Sequence, residues 1–203
     1  MMRKFVNDKL LFATHNLGKL EEMRHLFTPY DIEIIGSLDL ALNEPEETEN
    51  TFIGNARIKA RAAFEASGLP VLADDSGIEI DALNGAPGVH TADWAETSLG
   101  RDFIKAMKYT HDKLERINAP YPRRAQFSCT LVLAWPDRHE ESFYGTVKGQ
   151  LVWPMRGVLG HGFDPIFKPD GYHQTFGEMD RWEKNKISHR AQAVKKLIAS
   201  CFE

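Results

Sequence analysis

The run Val71-Leu72-Ala73-Asp74-Asp75-Ser76-Gly77-Ile78 constrains this chain more than any other stretch. Apolar residues carry the backbone through an interior and end on two adjacent carboxylates, a hydroxyl and a glycine. The pattern reads as a buried strand that stops at a chemical edge, with the carboxylates at a strand end or tight turn. Neighbouring Asp side chains repel unless a cation, a shared proton or hydrogen-bond donors compensate. Mg²⁺ suits that task, because it takes hard oxygen ligands and keeps waters and substrate phosphates. An Asx-turn closing the strand, with Gly77 supplying the bend, explains the same residues without a metal.

The segments before this run alternate strand and helix. Residues 9–14 read as a first strand, and Leu17, Leu20, Met23, Leu26 and Phe27 follow at helical spacing, with Asn16 as N-cap. A strand entering a helix directly aims free N–H groups at the junction, a good place for phosphate. Thr14, Asn16 and Lys19 supply a hydroxyl, an amide and a positive charge there. A second strand over 31–36 precedes a Glu-rich loop over 42–51, one of whose carboxylates can face the Asp pair. A long helix over 51–67 puts Asn55 and Lys59 on one face. This rhythm argues for a layered α/β sheet.

Beyond the acidic run, residues 78–83 alternate as a strand, 99–117 read as a helix, and 124–135 with 141–148 form an antiparallel hairpin, which makes the sheet mixed. Gly157, Gly160 and Gly162 bracket His161. Glycines this dense let a backbone pass close to a flat ligand, for which Phe163 offers an aromatic face and Asp164 an acceptor. Near the C-terminus Ser188 reads as a helix N-cap. His189 and Arg190 would then occupy the first turn, where Arg suits a planar polar group or phosphate.

Composition narrows the function. A chain of 203 residues holds one substantial core or one domain with two lobes. The net charge is -4 and Lys/Arg form no block, which argues against nucleic-acid backbone binding. The start of the chain is too polar for a signal peptide, and no apolar run is long enough for a bilayer. Cys129 and Cys201 lack metal-ligand spacing. A cytoplasmic, disulfide-free protein is expected.

These motifs together resemble the inosine triphosphatase, or Ham1-like, family of non-canonical purine nucleoside triphosphate pyrophosphatases, over nearly the full length. Thr14-His15-Asn16-Leu17-Gly18-Lys19 is similar to the family's opening phosphate motif. Glu46-Glu47-Thr48 with Thr51 to Lys59 is similar to its acidic loop and first long helix. Ala73 to Gly77 is similar to its central signature, Gly160 to Phe167 to its base-binding loop, and Lys184 with Ile187 to Arg190 to its closing motif.

The resemblance implies an elongated α/β fold, a central mixed β-sheet flanked by helices, with a cleft between two lobes. It implies a single domain over 1–203, whose second lobe we place at about 85–150, and a homodimer. It implies Mg²⁺-dependent hydrolysis of ITP, dITP and XTP to the monophosphate and pyrophosphate, without nucleic-acid or membrane partners. Asp75 would be the catalytic carboxylate, on or near the metal with Glu46 and Asp74. Thr14 to Lys19 would bind the triphosphate and Ser76 the substrate. Lys184, His189, Arg190 and Gly162-Phe163-Asp164 would hold the base. Lys19 and Lys59 can offset charge on the leaving pyrophosphate. Family members usually carry Phe where this chain has His161, so ring stacking falls to His161, Phe163 or Trp153. The alternatives are a Maf-like pyrophosphatase of different base range and a nucleotide-binding regulator without turnover.

Overall fold

The computed structural model describes residues 2–203. Period-two burial organises its first half. Strand β1 (Lys9–Phe12) sends Leu10 and Phe12 into one core and Leu11 into another. β2 (Glu33–Gly36) and β3 (Val71–Ile80) both pair with β1 in parallel, giving the order β2-β1-β3. Helix α1 (Leu17–Leu26) connects β1 to β2, and α2 (Phe52–Ser67) connects β2 to β3. With β1 central, the two crossovers run in opposite directions, and right-handed connections then place their helices on opposite faces. The cores agree. Leu20 and Met23 of α1 pack with Leu10, Phe12 and Leu72, whereas Ala56, Ala60 and Ala63 of α2 pack with Leu11, Val71 and Ala73. Helix α5 (His189–Cys201) joins the α1 side through Val194 and Leu197.

The full sheet has six strands in the order β2-β1-β3-β6-β7-β8, with β6 Arg123–Ala134, β7 Glu140–Leu151 and β8 Phe167–Pro169. Only residues 135–139 join β6 to β7, too short for a crossover, so that pair is an antiparallel hairpin. β7 and β8 are antiparallel as well. The sheet is therefore mixed and flanked by helices, as expected. Among the described residues no helix is long and apolar enough to cross a membrane.

The chain forms two compact units. One comprises the residues up to Asp75 with 129–145 and 190–203, and the other 76–128 with 146–189. The second differs from the single stretch 85–150 expected for a second lobe, because β3, β6 and β7 each pass from one unit into the other. Its core gathers Ile78, Ile80, Met107, Leu114, Phe127, Phe163, Phe167 and Phe176. It also holds a small hairpin of β4 (Glu96–Thr97) and β5 (Gly100–Arg101), then α3 (Phe103–Arg116) and α4 (Arg181–Ile187). α3 starts later than the expected 99. Leu99 lies at the hairpin tip, Gly100 takes φ +105°, and Asp102 caps the helix by accepting from the Lys105 N–H (3.0 Å).

Candidate active site

The strand that was expected to stop at the acidic pair does not stop. β3 continues from Val71 to Ile80, with Asp74 and Asp75 buried in its middle. Successive strand residues face opposite sides of a sheet. Asp74 therefore shares its face with Leu72, toward α1 and α5, and Asp75 shares its face with Val71 and Ala73, toward α2. The two carboxylates thus face opposite sides of the sheet and meet different nearest cations, while Lys59 acts on both.

Asp74 is 1% exposed and meets two cations. Lys19 Nζ of α1 lies 3.0 Å from its Oδ2, and Arg190 Nη2 of α5 donates to Oδ2 at 3.0 Å. Arg190 Nη1 reaches Glu22 at 2.7 Å. Burial alone would raise the Asp74 pKa, but Lys19, Arg190 and Lys59 outweigh it and hold the carboxyl well below the usual carboxylate range. Burial works against the Arg190 charge too, and Glu22 and Asp74 prevail, holding its pKa above the ordinary value. Asp74 is thus an anchor for Lys19 and Arg190.

Asp75 meets α2. Asn55 Nδ2 donates to its Oδ2 at 3.2 Å, and Lys59 Nζ stands 3.6 Å from Oδ1. Lys59 also pairs with Glu47 of the acidic loop at 2.9 Å. Burial would lower the Lys59 pKa, but Asp75, Asp74 and Glu47 together keep it raised. Asp75 responds in the opposite sense to Asp74. Burial pushes its carboxyl up to about 6, Glu47 adds to the rise, and Lys59 offsets only part of it.

The opening motif links β1 to α1. Phe12 pairs with Leu72, so the chain leaving β1 runs beside Asp74. The Thr14 hydroxyl accepts from the Asn16 N–H (3.2 Å), and Asn16 caps α1 by accepting from the Lys19 N–H (3.1 Å). His15 hydrogen-bonds the Leu42 carbonyl (2.7 Å), which fixes the start of the acidic loop. Leu17 is exposed, and a Cβ on Gly18 would press on Asn16 Oδ1 at 3.2 Å. Lys19 is half-buried, its side chain 26% exposed. Ser76 is half-buried and falls on the Asp74 face of β3.

The second unit holds the glycine-rich loop. Gly160 takes φ +79° and Gly162 φ +64°, and a Cβ on Gly160 would overlap the Asp164 carboxylate. That carboxylate is 1% exposed and accepts from both the His161 N–H and Lys184 Nζ. It closes the loop and fixes Lys184, whose ammonium lies 5.2 Å over the Phe176 ring. His189 is buried and stacks on Phe127, with centroids 5.0 Å apart and planes 13° off parallel.

Several expectations change. The Phe163 face is unavailable to a ligand, since the ring is fully buried and meets Phe103 edge-on at 6.3 Å. Trp153 is stacked on His111 at 4.2 Å. His161 is exposed, 5.5 Å from Phe103. Arg190 is held by Glu22 and Asp74. The loop carboxylate at the Asp75 cluster is Glu47, while Glu46 is exposed and makes no ion pair there among the described residues. Sequence reasoning missed Glu22. Its position three residues after Lys19, on the same face of α1, was the available signal.

Among the described residues no group of three or more His, Cys, Asp or Glu forms a ready metal site. Two carboxylates, Asp75 and Glu47, converge on Lys59, and Glu47 adds to the rise that burial gives the Asp75 pKa. This donor set fits Mg²⁺, which takes one or two carboxylates and completes its shell with water and phosphate oxygens.

A model described as the Ham1 family matches residues 10–200. The dITP/XTP pyrophosphatase of Ruegeria pomeroyi is 64% identical over 202 residues, covering 100% of this chain and 99% of that protein. That of Agrobacterium fabrum is 50% identical over 213 residues, covering 100% of both. A solved HAM1 protein from Coxiella burnetii superposes with a TM-score of 0.87 at 36% identity, over 94% of this chain and 96% of that one.

Proposed function

The chain belongs to the Ham1 family, and from that premise we propose that it hydrolyses non-canonical purine nucleoside triphosphates (ITP, dITP and XTP) to the monophosphate and pyrophosphate. The observation that carries this reading is the parting of Asp74 and Asp75 across β3. Asp74 pairs with Lys19 and Arg190, whereas Asp75 takes a neutral amide donor, Asn55, beside Lys59.

Near neutral pH Asp75 is mainly ionised and can take a proton from the water that attacks the α-phosphorus. Pyrophosphate leaves as the α–β bond breaks, and Lys19 and Lys59 offset its charge. The start of α1, with Thr14 and Asn16, supports phosphate binding. Asp75 and Glu47 would hold Mg²⁺, with Glu46 next in the loop. When bound, the ion supplies charge neutralisation and polarises the phosphate. Lys184 and His189, with the loop over 160–164, would present donors to the 6-carbonyl of hypoxanthine or xanthine. Adenine presents an amine there and leaves those donors unpaired. His161 would stack where the family usually carries Phe. A homodimer and a cytoplasmic location complete the reading, and light scattering of the purified protein checks the former.

Product analysis tests the reaction. Phosphorus NMR of dITP turnover in Mg²⁺ should show the monophosphate and pyrophosphate, with turnover abolished by excess EDTA. Release of orthophosphate, or full turnover in EDTA, contradicts the proposal.

A further inference from the structure

We propose that Asn55 is a positioning residue for the reaction, its amide fixing the Asp75 carboxylate with one end and tying the acidic loop to it with the other. The inference rests on the reading of Asp75 as the reactive carboxylate.

Asn55 is 2% exposed on the first turns of α2. Its Nδ2 donates to Asp75 Oδ2 (3.2 Å), and its Oδ1 accepts from the Glu49 N–H (2.9 Å). The two partners fix the amide's orientation, since a carboxylate needs the donor and an N–H needs the acceptor. One turn later Lys59 repeats the arrangement in charged form, near Asp75 Oδ1 and on Glu47. Helix α2 thus splints the acidic loop to β3 twice. Residue 54 agrees, because a Cβ on Gly54 would collide with the Glu49 side chain, so the loop lies against the helix there.

The chemistry explains an amide at this place. Asp74 meets two cations and is locked as an anion. Asp75 already has one cation beside it, Lys59 at 3.6 Å. A neutral donor aims the carboxylate without discharging it.

Two variants separate the two ends of the amide. Asn55→Ala removes both hydrogen bonds. Asn55→Asp, nearly isosteric, keeps an acceptor for the Glu49 N–H and loses the donor to Asp75. Two measurements are made: kcat and KM for dITP, and hydrogen exchange at the Glu49 amide, which needs no activity. Both variants should lose about tenfold or more in kcat, as for a lost hydrogen bond to a charged group. KM should stay within about twofold, because Lys19 and the opening motif are untouched. Glu49 exchange should accelerate in Asn55→Ala and stay slow in Asn55→Asp. The proposal is overturned if both variants keep kcat within about twofold, or if Glu49 exchange in Asn55→Ala matches the unaltered protein. An unaltered protein that releases no pyrophosphate sinks the functional reading instead, and the exchange comparison still decides whether Asn55 holds the loop.

Discussion

Asp74 and Asp75 are chemically identical neighbours with opposite pKa shifts, and the sign of each yields a prediction. The Asp74 pKa is depressed by folding. Its contribution to stability is therefore present above the unfolded carboxylate value, near 4, and is lost as the pH falls below it. Asp74→Asn at pH 7 strips Arg190 of one partner in a buried site, and should cost on the order of 3 kcal/mol in denaturant melts. A variant as stable as the parent contradicts the anchoring role. The Asp75 pKa is raised to about 6. Its stabilising contribution is complete below about pH 4 and disappears as the pH rises through 6, so in the metal-free protein the ionised form is a liability. Asp75→Asn should lower kcat by about 100-fold or more, yet melt higher than the parent at pH 7.5, with the gap closing near pH 4. A lower melting temperature at pH 7.5 would count against the buried base. The motif itself was legible in sequence. The parting of the pair was not, because Ser76 and Gly77 suggested a turn. Reading 71–80 as one strand separates the two residues at once.

At the scale of elements, α2 carries most of the arrangement and the acidic loop carries the ambiguity. The helix was legible from its spacing, and the structure adds its caps: Thr51 accepts from the Gly54 N–H (3.1 Å), and Gly68 ends it at φ +68°. Residues 42–51 have no periodicity, so nothing in sequence decides which Glu turns inward. Lys59 decides it, by reaching Glu47 at 2.9 Å. Glu47→Gln should therefore raise the Mg²⁺ concentration needed for half-maximal activity more than Glu46→Gln does. A Mg²⁺ titration of both variants checks this, and the reverse order would return the metal role to Glu46. The shortened α3 has a similar lesson. Asp102, three residues before Lys105, is the cap signal that places its start, and the spacing of apolar residues alone ran past it.

At the scale of the whole molecule, the mixed sheet and its helices were legible because period-two and period-3.6 patterns are local. The division into units was not, since it depends on long strands shared between them. Both cysteines are buried, and the Cys201 thiol is pushed up to about 11, mainly by burial. Neither should react with a thiol reagent at pH 8 until the protein is unfolded, when both should. Fast native labelling would contradict the core assignment. In the second unit Lys184 is held by Asp164 and His189 stacks on Phe127, and the proposal gives these two residues the base. The measurement that tests the functional account most directly is kcat/KM for pyrophosphate release over ITP, dITP, XTP, GTP, ATP, dTTP and UTP in Mg²⁺. ITP, dITP and XTP should lead, with ATP and GTP well below them. Equal values for ITP and ATP, or a lead for dTTP or UTP, would contradict it.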